Sequence, residues 1–97
     1  MLRSLIALAI TFSLPAIAKS EGEQEHAKRE ARLMADSNRV AHFLGCARGC
    51  LFSGVGRSRD PYPKTCLPWE YGVKATRIVA DAIVHRDGWY YRSTHWR

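Results

Sequence analysis

Four residues have the types and spacing that metal or thiol chemistry needs: His42, Cys46, Cys50 and Cys66. The first three stand at i, i+4 and i+8, which on a helix places them along one stripe. Together with Cys66 they make up the Cys3His donor set of a tetrahedral zinc site. The competing reading is a disulfide between Cys66 and one of the other two cysteines, with His42 a solvated flank residue. The short-spaced second ligand pair of ordinary zinc sites is missing, so the disulfide is the expectation and no metal or cofactor is assigned. Cys50 stands closer to the apolar stripe than Cys46, which makes Cys50–Cys66 the preferred pair and Cys46 the alternative. Such a bridge closes a loop of about 15 residues and contributes about 3 kcal/mol in the chain-entropy account. Cys46-x-x-x-Cys50 is one residue longer than the Cys-x-x-Cys of thiol oxidoreductases. A Cys–His nucleophile would need His85 or His95 brought to Cys46, which no spacing demands, and so catalysis is not expected.

The positioning elements begin with an export signal. Arg3 supplies a positive start, residues 5–14 an apolar run, Pro15 its end and Ala16-Ile17-Ala18 the small-x-small pattern of a cleavage site. The apolar stretch is shorter than the ~20 residues that span a bilayer, so cleavage after Ala18 is expected rather than retention as an anchor. Of the 97 residues, 79 then remain in a domain covering residues 19–97. Export places that domain in the periplasm or outside the cell, where a disulfide is stable. A domain of this size needs such a staple, because a lone small core rarely supplies more than ~3–5 kcal/mol. Three cysteines leave one over, either as a thiol or as a bridge between two copies in a homodimer.

Within that domain, Ser20-x-x-Glu23 reads as a capping box. Val40, Phe43, Leu44, Ala47, Cys50 and Leu51 recur at three- and four-residue steps. A helix near 24–53 is therefore predicted, followed by an irregular loop over 54–71 that holds three of the four prolines. Ala75, Ile78, Val79, Ala82 and Ile83 match a second helical stripe near 72–86, and a strand would put Arg77 and Asp81 beside Val79 and Ile83. Asp87-Gly88 is read as its stop. The expected fold is thus mainly α, a disulfide-stapled domain on a two-helix core. Gly45 and Gly49, four apart in the first helix, would let another backbone approach closely. Trp89, Tyr90, Tyr91 and Trp96 are expected to close the core.

The chain carries 15 Lys+Arg against 9 Asp+Glu, a net charge of +6. From Arg39 onward there are 10 Lys+Arg against 4 Asp+Glu, and there Arg57, Arg59 and Lys64 in the loop form the tightest basic group, with Tyr62 among them. Export argues against nucleic acid as the partner and leaves an acidic protein or an anionic envelope polymer. Exposure, charge and aromatic content make Arg57, Arg59, Tyr62 and Lys64 the candidate partner-binding residues.

The order of Gly45 and Gly49, then Cys66-Leu67-Pro68, then the apolar Ile78, Val79 and Ile83 resembles the small exported immunity proteins of type VI secretion systems, over roughly residues 40–88. That family has a glycine-spaced helix, a loop, a C-x-P motif and an apolar helix. This chain departs from it in lacking a Cys just before the first glycine and in ending on Trp89 to Arg97. The resemblance implies a periplasmic inhibitor that binds a cell-wall-degrading amidase or muramidase and occludes its active site, without catalysis of its own. The alternatives in other classes are a metal-binding or thiol redox protein using His42, Cys46, Cys50 and Cys66, and a signal-anchored envelope protein.

Overall fold

The first element is built on alanine. Ala27, Ala31 and Ala35 stand at four-residue steps with Glu30 and Met34 between them, and all five are buried along one face of a helix, α1, over Glu23–Ser37. Alanine has the highest helix propensity and keeps the helix axis close to whatever it packs against. Glu23 and Glu25 lie in the first turn, where the helix dipole favours negative charge. Gly22 precedes the helix without a side-chain cap. At the other end Asn38 takes the left-handed conformation, φ 54°, and its N–H reaches Ala35 O at 3.3 Å while Arg39 N–H reaches Met34 O at 3.2 Å. That geometry ends the helix.

The computed structural model describes residues 22–47 and 49–97. The signal-peptide reading of residues 1–18, and Ser20 of the expected capping box, lie outside them. After α1 the described residues 38–47 and 49–51 run irregularly, and the chain then forms β1 (Phe52–Ser58). A coil over residues 59–77 contains one 3-10 turn, Pro68–Tyr71. It leads into β2 (Ile78–Arg86) and β3 (Trp89–Trp96). The sheet order is β1-β3-β2, antiparallel throughout.

This overturns the mainly α expectation: the fold is one helix with a three-stranded antiparallel sheet. The helix expected near 24–53 stops at Ser37, residues 54–58 of the loop expected over 54–71 belong to β1, and the helix expected near 72–86 is coil up to Arg77 and β2 from Ile78. Asp87, φ 53°, and Gly88, φ 81°, form a two-residue turn that joins β2 to β3 as a hairpin. Both residues take positive φ, which is what a primed hairpin turn requires of Asp-Gly. The same dipeptide therefore reverses a strand instead of ending a helix.

Each face of the sheet has its own cover. Toward α1 point Val55 and Arg57 of β1, Ala80, Ala82 and Val84 of β2, and Tyr91, Ser93 and His95 of β3. Ala80 and Ala82 meet Ala27, while Tyr91 packs with Ala31, Met34 and Ala35. On the opposite face stand Gly54 and Gly56, Asp81 and Ile83, and Arg92, Thr94 and Trp96. The coil lies across this second face. Asp81 is accommodated there because Arg92, on the neighbouring strand, grips it with two bonds, Nε to Oδ1 at 2.8 Å and Nη2 to Oδ2 at 2.7 Å. Arg92 Nη1 also donates to Pro63 O at 3.0 Å, tying the coil to the sheet.

Glycines 54 and 56 make that crossing possible. A Cβ on Gly54 would lie 2.6 Å from Cys66 O, and one on Gly56 would lie 2.1 Å from Lys64 O. Backbone therefore rests directly on backbone over β1. Gly56→Ala is expected to lower the unfolding free energy in urea by about 1–3 kcal/mol, because coil or strand must move. Gly22→Ser, where nothing lies within 4 Å, is expected to leave stability unchanged or raise it slightly.

Candidate functional site

Two constellations stand out, one buried and one exposed. The buried one centres on Glu30, whose side chain is fully enclosed between α1 and β3. Glu30 Oε2 accepts from Leu44 N–H at 2.6 Å and from Gly45 N–H at 3.1 Å. Oε1 accepts from Ser93 Oγ at 3.4 Å and lies 3.8 Å from His95 Nε2. Ser93 Oγ and His95 Nε2 are 3.0 Å apart. With its proton turned to Glu30, the Ser93 hydroxyl accepts from His95 Nε2–H. His26 sets its ring edge-on to His95, centroids 5.6 Å apart, and its Nε2 lies 3.0 Å from Gly45 O.

Glu, His and Ser together suggest a nucleophilic triad, but the wiring differs. In a triad the acid orients the ring from one nitrogen while the serine is served from the other. Here Ser93 and Glu30 share Nε2, and His95 Nδ1 has no hydrogen-bond partner among the described residues. Ser93, His95 and Glu30 are each 0% exposed, so no substrate reaches the hydroxyl. The cluster instead joins three parts of the fold: α1 through Glu30, β3 through Ser93 and His95, and the irregular segment through Leu44 and Gly45.

Burial pushes the Glu30 pKa up, but the neighbouring His95 ring and the Leu44 and Gly45 N–H groups outweigh it and hold the carboxyl below its ordinary value of 4.5. A depressed folded-state pKa contributes stability that is present above the unfolded value and disappears as pH falls through the folded one. Urea titrations between pH 7 and pH 3 are therefore expected to show stability falling below about pH 4.5. Glu30→Gln is expected to be about 1–3 kcal/mol less stable at pH 7 and to lose that part of the acid dependence.

The sequence-derived thiol set is not gathered. Cys46 and Cys50 form the disulfide, with Cα atoms 5.4 Å apart. Cys66 is a free thiol that accepts from the Tyr71 hydroxyl at 3.5 Å. The preferred Cys50–Cys66 pair is thus replaced by a short local bridge, because the helix ends at Ser37 and both cysteines lie in an irregular segment with Gly45 and Gly49 at positive φ. His42 lies beside Ser53, Nδ1 to Oγ 3.3 Å. Among the described residues no cluster of three or more His, Cys, Asp or Glu is placed to hold a metal. Gly45 and Gly49 are not a helix-packing stripe: both have positive φ, 70° and 88°, and serve the loop.

The exposed constellation uses two of the four basic-loop residues. Arg57 is the penultimate residue of β1 and Arg59 follows the strand. Both guanidiniums lie on the Trp89 ring, Cζ to centroid 4.3 Å for Arg57 and 3.9 Å for Arg59. Arg57 Nη1 donates to Asn38 Oδ1 at 3.1 Å and to the Tyr91 hydroxyl at 3.3 Å, and that hydroxyl donates to Asn38 Oδ1 at 3.0 Å. Arg59 Nη1 donates to Gly88 O at 3.1 Å. Two further arginines stand at the same end of the molecule: Arg39, 5.1 Å above the Phe43 ring, and Arg86, 2.8 Å from Asp36. Tyr62 and Lys64 are exposed on the coil across the other face, and no contact joins them to this ledge among the described residues.

The sequence singles out Arg57 and Arg59 by charge and spacing but gives no sign of the Trp89 ring beneath them. Trp89 faces α1 and its guanidinium partners only once residues 78–96 are a hairpin, and Asp87-Gly88 was the signal for that. Asn38 becomes a ligand of Arg57 only because the helix ends there.

No protein-family model, curated protein or solved structure matches this chain.

Proposed function

We propose that this protein is an exported, non-catalytic binding protein that holds an acidic protein surface on the ledge of Arg57, Arg59 and Trp89. The observation that carries the reading is the pair of arginines whose guanidiniums both lie over one tryptophan ring. A guanidinium braced by a ring, by Asn38 and by a tyrosine hydroxyl loses little freedom on binding. Arg and Trp are also the side chains that most often dominate binding energy at interfaces. Carboxylates are the complementary chemistry, since stacked guanidiniums still offer N–H groups at their edges.

The partner class we favour is a peptidoglycan amidase or muramidase, whose active-site cleft the protein would occlude. The glycine-spaced helix and apolar second helix behind the immunity-family resemblance are a loop and a strand here. The inhibitor reading therefore stands on the ledge and on the export signal. The ledge is an end of the sheet bounded by the α1 C-terminus and the hairpin turn.

The test titrates the exported protein against an exported peptidoglycan amidase or muramidase encoded next to it, following murein hydrolysis. An equimolar amount is expected to stop hydrolysis, and Arg59→Glu with Arg57→Glu to weaken inhibition by about 30-fold or more, which corresponds to about 2 kcal/mol. Added salt is expected to weaken it further. Near-UV circular dichroism of the variant checks that the fold survives. Absence of any complex at micromolar concentrations, or inhibition indifferent to both substitutions, would overturn the reading.

A further inference from the structure

The end of the molecule opposite the arginine ledge is apolar and unpartnered. Trp96, at the end of β3, is only 7% exposed, with Phe52 of β1 and Ile78 of β2 as its partners in register. Trp69 sets its ring edge-on to Trp96, centroids 5.5 Å apart, and Tyr71 lies 5.7 Å from Phe52. Leu51 N–H donates to Trp96 O at 2.8 Å. Four of these residues turn large apolar surfaces to solvent: Leu51 is 59% exposed, Trp69 61%, Tyr71 64% and Ile78 46%. A cluster of this kind around one tryptophan marks an interaction surface more often than scattered exposure does.

The course of the chain says what faces it. Glu23, the first residue of α1, pairs with the Arg97 guanidinium. Arg97 in turn exchanges backbone hydrogen bonds with Arg77, just before Ile78. Gly22 thus lies at this end, and in sequence it follows closely on the apolar stretch of residues 5–18. Three residues stand between Ala18 and Gly22, so the four chain steps reach at most about 14 Å. The exposed Lys74 and Arg77 flank the patch without a carboxylate partner among the described residues. Glu70, between Trp69 and Tyr71, turns back to accept from Leu67 N–H at 2.9 Å. Tryptophan and tyrosine are the side chains that settle at the headgroup level of a bilayer, and lysine and arginine suit its anionic lipids.

We infer that the surface formed by Leu51, Trp69, Tyr71 and Ile78 docks on a lipid bilayer, holding the arginine ledge pointed away from the membrane. The contact is peripheral: no helix among the described residues is long and apolar enough to cross a membrane. It does not depend on the ledge, and it operates whether or not residues 1–18 are removed, since the patch belongs to the folded part.

The test sediments the exported protein with vesicles of phosphatidylethanolamine containing a minority of phosphatidylglycerol. Wild type is expected to co-sediment, with a blue shift of tryptophan emission. Trp69→Ser combined with Tyr71→Ser is expected to reduce partitioning roughly tenfold or more. Tyr62→Ser, which removes a more exposed aromatic far from the patch, is expected to change nothing. Trp69→Phe keeps partial binding and is expected to lose the blue shift. Circular dichroism confirms that the variants are folded. No binding by wild type would overturn the inference, and so would equal binding by the double variant, which would place the lipid contact elsewhere. A lipid-free dimer that the double variant converts to a monomer would overturn it too, showing a second copy as the occupant.

Discussion

A single buried carboxylate holds the three parts of this molecule together. Glu30 sits on the alanine face of α1, where the helix approaches the sheet too closely for water to follow. An unpaired carboxylate in that position would cost several kcal/mol. The protein meets the requirement with two backbone N–H groups from the irregular segment and a serine–histidine pair from β3. Helix, sheet and loop are thereby fixed relative to one another by one side chain. The Cys46–Cys50 bridge begins one residue after Gly45, so the carboxylate also anchors the loop that the disulfide closes.

The same economy of contact governs the other face. There the coil of residues 59–77 replaces a second helix, and Gly54 and Gly56 let its backbone lie on β1. Arg92 neutralises Asp81 and hydrogen-bonds Pro63 O. The sheet of so small a domain is therefore covered on both sides with few large aliphatic side chains, and much of its core is alanine, tyrosine and the buried polar side chains Glu30, Ser93, Thr94 and His95. Once the two faces are closed, what stays exposed is concentrated at the ends of the strands. Arginines on Trp89 occupy one end and aromatic side chains around Trp96 the other.

How far this was legible in the sequence varies residue by residue. The proline-bearing coil could be read from residue type over residues 59–71, but residues 54–58 of the expected loop are strand, and the apolar stripe over residues 40–51 that suggested the first helix lies beyond the end of α1. The alanine face of α1 was undervalued, since its small residues bury fully while offering little hydrophobic area each. The decisive ambiguity lay in residues 78–86. Their apolar positions fit a helical stripe, and Asp81 argued against a strand as long as its partner was unknown. Arg92, eleven residues on, is that partner, and only the hairpin brings it there. Asp87-Gly88 serves a helix stop and a primed hairpin turn equally well, and the aromatic, β-branching-rich flanks favoured the turn. The disulfide followed the same error: with residues 38–51 taken as helix, Cys46 and Cys50 are neighbours on a rigid stripe, whereas in a loop with Gly45 and Gly49 at positive φ they reach each other.

The most direct measurement of the central claim is amide hydrogen exchange at Leu44 and Gly45, near neutral pH, in the wild-type protein and in Glu30→Ala. These amides lie in an irregular segment with no sheet or helix partner, so only the Glu30 carboxylate explains slow exchange. The account predicts strong protection of both in the wild type and its loss in Glu30→Ala, while amides at the centre of β3 remain protected. Exchange at the rate of an open loop in the wild type, or protection unchanged when the carboxylate is removed, would contradict it.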